Sequence, residues 1–319
     1  MADGFSNAYG QGRDQTELKT REFQLHYTFE VEEIPKGATV RTWTPIPQNS
    51  DHQTVQIINM GARASKASRM RIKTEPAYGN QMAFFEIKKA SGNPIFAGFS
   101  YLIERREVRS LQEEGDKEPL SEKHRKLFLS ANEKVPIAGK PLELLVDTEL
   151  PAEPLSLARL LYDKVGEHVV YDKSKPGYGT GDSLWVCESQ FGNCTDFHSL
   201  FISLARSQQI PACFEIGFPL PADRGDGLIE GYHCWGMFHI ENKGWIPVDI
   251  SEGDKNPALR DYYFGNLSEN RVAFTIGRDL ELVPKQNGPP LNYFIYPHVE
   301  IDGEKLSADQ IKVTIEYAD

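Results

Sequence analysis

The sequence predicts an α+β fold in two parts: a β-rich N-terminal part, then a part that mixes amphipathic helices with a β-hairpin. Three observations predict it. Phe23, Leu25, Tyr27, Phe29 and Val31 alternate with polar neighbours, the period of a half-buried strand. Phe197, Leu200, Phe201, Leu204 and Ala205 recur at helical spacing. Residues 232–240 and 245–249 read as two strands around the turn Glu241-Asn242-Lys243-Gly244.

Taken in order, residues 1–19 are polar and Gly-rich and read as a disordered tail. Strand candidates follow at 39–44, 55–60, 82–88 and 96–105. Tyr78-Gly79-Asn80 and Ser91-Gly92-Asn93-Pro94 punctuate them as turns. Several short strands with little helix predict a β-sandwich over 20–110, suited to support or substrate docking. The charged run Glu113-Glu114-Gly115-Asp116-Lys117-Glu118-Pro119 and a short helix at 121–129 place a linker at 111–130. A second domain is expected over 131–319. It opens with a helix after Pro154, in which Leu157, Leu160, Leu161 and Val165 share a face. Apolar runs at 272–276, 280–283, 293–296 and 311–317 are expected to be strands completing this second domain.

Composition bounds the function. The chain has 319 residues, enough for about two domains. A net charge of −11 argues against nucleic acid or an anionic membrane surface as partner. No stretch approaches the ~20 apolar residues of a membrane span. The start, Met1-Ala2-Asp3-Gly4-Phe5, lacks the basic and apolar run of a secretory leader, so the expectation is cytoplasmic. A chain trimmed after a cleaved leader would read the same, which keeps an exported, periplasmic location open. Four cysteines without CxxC pairs give neither a disulfide framework nor a zinc site.

One of those cysteines carries the chemistry. Cys194 follows Gly192-Asn193, with Asn193 as N-cap and Asp196 as the reciprocal acid of a capping box. In the first helical turn, unpaired N–H groups and the helix dipole favour a thiolate. The competing reading is a small buried hydrophobe, the usual fate of a free cysteine. His233 and Asp249 shift the balance. If Ile240 closes the hairpin against Gly244, Trp235 lies opposite Asp249 and His233 is its diagonal neighbour. Such pairs lie about 7–8 Å apart at Cα, a gap that an imidazole and a carboxylate can bridge. A thiol at a helix start, an imidazole to take its proton and an acid to orient that imidazole are the parts of a nucleophilic triad.

Gly192-Asn193-Cys194-Thr195-Asp196, Ala205-Arg206, Ile210-Pro211-Ala212, His233-Cys234-Trp235 and Gly244-Trp245-Ile246-Pro247-Val248-Asp249 resemble, in order, the motifs of the transglutaminase-like superfamily. The segments 270–279 and 289–293 are similar to a bacterial subgroup of it. The resemblance implies a papain-like core, helices packed on an antiparallel sheet, preceded by the β-sandwich. It implies Cys194 as nucleophile, His233 as general base and then acid, and Asp249 as orienting acid; with no run of acids at EF-hand spacing, no cofactor and no metal are expected. The chain departs from the family where Cys213 replaces an arginine and Cys234 an alanine. On an alternating strand Cys234 should point away from the His233 face and serve packing.

Other residues carry weaker expectations. Gln190 is a candidate oxyanion donor beside the Cys194 N–H. Trp235 and Trp245 are candidate walls of a substrate cleft, with burial in the core as the alternative. His198, one turn past Cys194, reads as a hydrogen-bonded histidine rather than a competing base. His239 is expected at the surface near the hairpin end, and Cys187 is expected to be buried. The loop 219–231 is Gly- and Asp-rich and expected to be exposed and mobile. The function expected is cysteine-dependent hydrolysis of peptide or isopeptide bonds through a thioester, on a protein or peptide substrate. The alternatives are protein-glutamine amine transfer and a binding module without chemistry.

Overall fold

A computed structural model describes residues 17–64, 69–113 and 118–319. The expected tail lies outside the described residues as far as residue 16, as does the centre of the expected linker, 114–117.

The N-terminal strands are β1 (Thr20–Val31), β2 (Val40–Ile46), β3 (Gln53–Arg63), β4 (Arg71–Thr74), β5 (Gln81–Ile87), β6 (Ile95–Arg106) and the short β7 (Val108–Arg109). Phe23, Leu25, Tyr27, Phe29 and Val31 on β1 are all buried, as the alternation predicts. Ile95, Ala97, Phe99, Tyr101 and Ile103 on β6 join them, and Val40, Phe85 and Ile87 of β2 and β5 share the same apolar core. At about 1.5–3 kcal/mol for each fully buried large apolar side chain, this layer is a major source of stability.

Next come α1 (Glu122–Leu129), α2 (Pro154–His168), β8 (Val170–Tyr171), α3 (Ser183–Ser189), β9 (Phe191–Gly192), α4 (Cys194–Ser207) and β10 (Ala212–Pro219). They are followed by β11 (Asp226–Leu228), β12 (His233–Ile240), β13 (Gly244–Val248), α5 (Ile250–Lys255), β14 (Asn266–Leu267) and β15 (Arg271–Ile276). An antiparallel sheet of order β13-β12-β10-β15 forms the platform of this part. α4 packs on β12 and β10, and α2 packs on α4. α4 is buried along nearly its whole length, Cys194 to Arg206. The β10–β15 ladder shifts register between Ile216 and Gly217, with Phe274 the extra residue on β15, and a Cβ added at Gly217 would sit 1.8 Å from the Val272 carbonyl oxygen. Only glycine permits that approach.

The C-terminal strands correct one expectation. The run at 272–276 does complete the second domain's sheet, as β15. The chain then crosses back to the N-terminal layers through β16 (His298–Ile301), β17 (Glu304–Lys305) and β18 (Lys312–Ala318). β16 pairs with β2, and β18 pairs with β1 in a register that sets Leu25 against Tyr317 and Tyr27 against Ile315. The two five-stranded sheets therefore run β11-β18-β1-β6-β3 and β17-β16-β2-β5-β4. The runs at 280–283 and 293–296 form no named strand; Leu280 makes an isolated bridge to Leu291, and Tyr27 donates to the Ile295 carbonyl. The physical reason is that alternation reports a half-buried strand but not which open edge it fills, and β1 offers one.

The loop 219–231 also differs from expectation. It is largely exposed, yet β11 within it pairs with β18, Gly225 N–H donates to the Asp319 carboxylate at 2.8 Å, and Ile229 N–H donates to the Ile315 carbonyl. The segment leading to His233 is thus fastened to the C-terminal strand.

Candidate active site

Local rules build the start of α4. The Asn193 side chain accepts from Thr195 N–H at 2.9 Å, and Asp196 accepts from Asn193 N–H at 3.0 Å, the capping box expected from the sequence. An N-cap of this kind is worth about 1 kcal/mol. Asp196 also accepts from the N–H groups of Gly179 and Gly181, at 2.7 and 2.9 Å, so it ties that loop to the helix start. Gly192 must be glycine, because a Cβ there would stand 2.5 Å from the Asp196 side chain. The result is Cys194 at the first helical position, 3% exposed, with a backbone N–H that has no partner within the helix.

The hairpin supplies the partners. Ile240 pairs with Gly244 and Gly236 with Val248, so the ladder has the register that sets Trp235 beside Asp249. His233 opens β12, and its Nε2 lies 2.7 Å from Asp249 Oδ2. Asp249 caps α5, with Oδ1 accepting from Glu252 N–H at 3.2 Å and from Ser251 Oγ–H at 3.1 Å. With Nε2 engaged, His233 has its other ring nitrogen left for the Cys194 thiol, the group whose charge it favours.

Electrostatics make these groups an ion cluster. Burial alone would raise the Cys194 thiol, but hydrogen bonding to Cys234 and His233 and the charge of His233 bring it well below its ordinary value. Burial would lower His233, yet the Asp249 carboxylate and the thiolate raise it to about 10. Burial opposes the charge on Asp249 as well; His233 and Arg271 outweigh it and hold the carboxyl far below the usual range. The arrangement is a thiolate–imidazolium pair with a carboxylate behind it, the form in which a cysteine is nucleophilic at neutral pH.

His198 sits elsewhere in the network. It is fully buried, and its Nε2 accepts the Ile250 N–H at 3.0 Å, which leaves the ring proton on Nδ1. Burial lowers it to about 4, so it is neutral. Cys187 is buried and raised to about 11 by burial, and burial also raises Cys213.

Several expectations need correction. Cys234 is buried on the face opposite His233, as alternation predicts, yet it packs beside Cys194: its Sγ lies 3.7 Å from Thr195 Oγ1 and 3.8 Å from His198 Nδ1. Alternation does place it opposite Trp235, and that face is the one on which α4 packs. Trp235 is fully buried beneath the site, with Nε1 donating to Glu215. Trp245 pairs with His239 at the far end of the hairpin and packs on Phe128, with ring centroids 4.7 Å apart. Neither tryptophan walls a cleft. His239 is 7% exposed rather than on the surface, covered by that same indole. Gln190 is an exposed left-handed residue that ends α3, its backbone committed to Val186 and Val170.

The sequence did not point to Arg271, whose Nη1 lies 3.0 Å from Asp249 Oδ2, or to Tyr232, whose hydroxyl meets Thr195 Oγ1 at 3.1 Å and Asn193 Nδ2 at 3.2 Å. Their distance along the chain from their partners leaves no local signal. Beyond Tyr232, a cavity of about 1210 Å³ is lined by Tyr178, Gly179, Pro290, Tyr293, Tyr296 and Leu306. It adjoins the helix cap: Gly179 is held by Asp196 on one side and accepts from the Tyr293 hydroxyl on the other.

Comparison with known proteins places this part of the chain in a known family core. Residues 145–250, which contain Cys194, His233 and Asp249, match the transglutaminase-like superfamily. An uncharacterized protein of Haemophilus influenzae is 26% identical over 330 residues, covering 86% of this chain and 85% of that protein. The crystal structure of a candidate cysteine protease from Cytophaga hutchinsonii superposes with a TM-score of 0.58 at 14% identity, covering 95% of this chain and 93% of that one. That likeness is one of fold. The matched core supports a cysteine-dependent enzymatic function in general terms. Residues 145–250 of the chain thus form a core that matches the transglutaminase-like superfamily, carried on a fold like that of the Cytophaga hutchinsonii protein.

Proposed function

We propose that the protein is a cysteine amidohydrolase that cleaves peptide or isopeptide bonds through a thioester. The observation that carries the reading is His233 Nε2 held 2.7 Å from Asp249 Oδ2, with Cys194 buried at the first position of α4. The thiolate of Cys194 attacks the amide carbonyl carbon, and the N–H groups at the start of α4 stabilise the oxyanion. As the C–N bond breaks, the imidazolium of His233 gives its proton to the leaving amine. Neutral His233 then takes a proton from water, the hydroxide adds to the thioester, and collapse releases the acid and restores the thiolate. Asp249 fixes the imidazole and compensates its charge throughout. The description of the Cytophaga hutchinsonii neighbour as a candidate cysteine protease favours water as the acceptor.

The test is a competition. A glutamine-containing peptide library is incubated with the enzyme and a labelled primary amine, and products are read by mass spectrometry. Acid products in excess of amine adducts support hydrolysis. Stable amine incorporation as the main product replaces it with amine transfer.

A further inference from the structure

Behind the acid lies a second buried charge. Arg271 opens β15, at the edge of the four-stranded sheet opposite β13. Its side chain crosses the sheet over the indole of Trp235, 4.8 Å from the ring centroid, and ends on Asp249. Asp249 Oδ2 thus accepts two hydrogen bonds, from His233 Nε2 at 2.7 Å and from Arg271 Nη1 at 3.0 Å. The Arg271 side chain is 4% exposed and that of Asp249 is fully buried. Arg271 Nε has no partner. A guanidinium that leaves one donor unsatisfied in order to reach across a sheet is not placed there for its own hydrogen bonding.

The charge count explains its position. Thiolate, imidazolium and carboxylate leave one negative charge in excess within a dry site, and a buried charge without compensation is costly. Arg271 brings the sum to zero. Facing Asp249 are also His198 of α4, Tyr162 of α2, Tyr263, and Lys255 of α5. Facing Cys194, besides His233, are Cys234, His198, Asp196, Tyr171, Tyr232 and Tyr293. Glu252 lies 3.9 Å from His233 Nε2 but is paired at 2.6 Å with Lys255. Tyr162, Tyr171, Tyr232, Tyr263 and Tyr293 are all raised, by burial first, and stay neutral through the working range. The cation in hydrogen-bond contact with the acid is therefore Arg271, which Glu215 of β10 and Arg105 of β6 also face.

We propose that Arg271 is a positioning residue of the active site: by holding Asp249 Oδ2 from the side opposite His233, it fixes the carboxylate and lets the thiolate, the imidazolium and the carboxylate coexist in one buried site. The inference rests on the triad reading above. Arg271 acts through Asp249 and does not touch the reacting atoms.

The test reads thiolate formation without substrate. The rate of iodoacetamide alkylation at Cys194 is measured against pH in the full chain for wild type, Arg271→Gln and Arg271→Lys, with folding followed by circular dichroism. In Arg271→Gln both inflections of the profile should move to higher pH, the lower one by about one unit. Arg271→Lys, which keeps the charge but not the reach, should fall between Gln and wild type. If Arg271→Gln does not fold, the Lys variant alone carries the test, and its profile should still move upward. A profile that overlays wild type in the folded variant overturns the proposal. Because alkylation needs no turnover, a protein that cleaves no peptide but shows the shift loses the hydrolase reading and keeps this one.

Discussion

His198 Nε2 accepts the backbone N–H of Ile250, the residue after Asp249, at 3.0 Å. An imidazole one turn along α4 from Cys194 is thereby used to anchor the turn that carries Asp249. Its ring proton points toward Cys234, and it has no lone pair free to serve as a base.

His198→Phe removes the acceptor and leaves a buried N–H unpaired, which should cost about 1–3 kcal/mol in a denaturant melt. His198→Gln supplies an acceptor and should recover part of that loss and retain turnover. His233→Gln should lower kcat by about 10²–10⁴ and, by breaking the buried pair with Asp249, lower the melt at neutral pH as well. Equal loss of turnover in both Gln variants would contradict the division of roles.

The pH dependence of stability has a definite sign. His233 has its value raised from about 6.5 in the unfolded chain to about 10 in the folded one. Its contribution is fully present below the unfolded value and is lost as pH rises through the folded one. The difference in melting temperature between wild type and His233→Gln should therefore shrink as pH is raised from about 6.5 to about 10. Asp249 is depressed, so its contribution is present above the unfolded carboxylate value of about 3.9 and is lost as pH falls through its folded value. A difference that grows with pH above neutrality would contradict the ion pair.

Gly192→Ala tests the cap. The added Cβ would meet Asp196, which holds Asn193, Gly179 and Gly181. Overpacking of this kind costs about 1–3 kcal/mol, and here it should also slow alkylation of Cys194 by displacing the helix start. Unchanged melt and alkylation rate would show that the cap does not set the thiol.

Arg21 tests the return of the C-terminus. Its side chain is buried and pairs with Asp319 at 2.6 Å, while Nη1 reaches Asn270 Oδ1 at 2.9 Å, next to Arg271. Arg21→Met should cost about 3 kcal/mol and raise hydrogen exchange in β18 and in the loop 219–231. Exchange confined to β1 would contradict that fastening.

The site was legible where its causes are local. A glycine, an Asn cap and an acid three residues on are enough to place Cys194 at a helix start, and a four-residue turn is enough to register His233 with Asp249. What could not be read depends on packing between distant segments. Cys234 alternates as expected, but which element covers its face is a tertiary fact. Trp245 belongs to the same motif as Asp249, yet four residues of strand carry it toward the far end of the hairpin. Arg271 reaches Asp249 from the opposite edge of the sheet, past β10 and β12, and strand 312–318 chooses the edge of β1 nearly three hundred residues upstream, a pairing that period alone does not encode.

The central claim is that Cys194 is the nucleophile, and one peptide map tests it. Wild-type protein is treated with substoichiometric iodoacetamide near neutral pH, digested and mapped alongside Cys194→Ala. The account predicts that Cys194 is labelled ahead of Cys187, Cys213 and Cys234, and that Cys194→Ala folds but does not turn over. Preferential labelling of another cysteine, or turnover in Cys194→Ala, would contradict it.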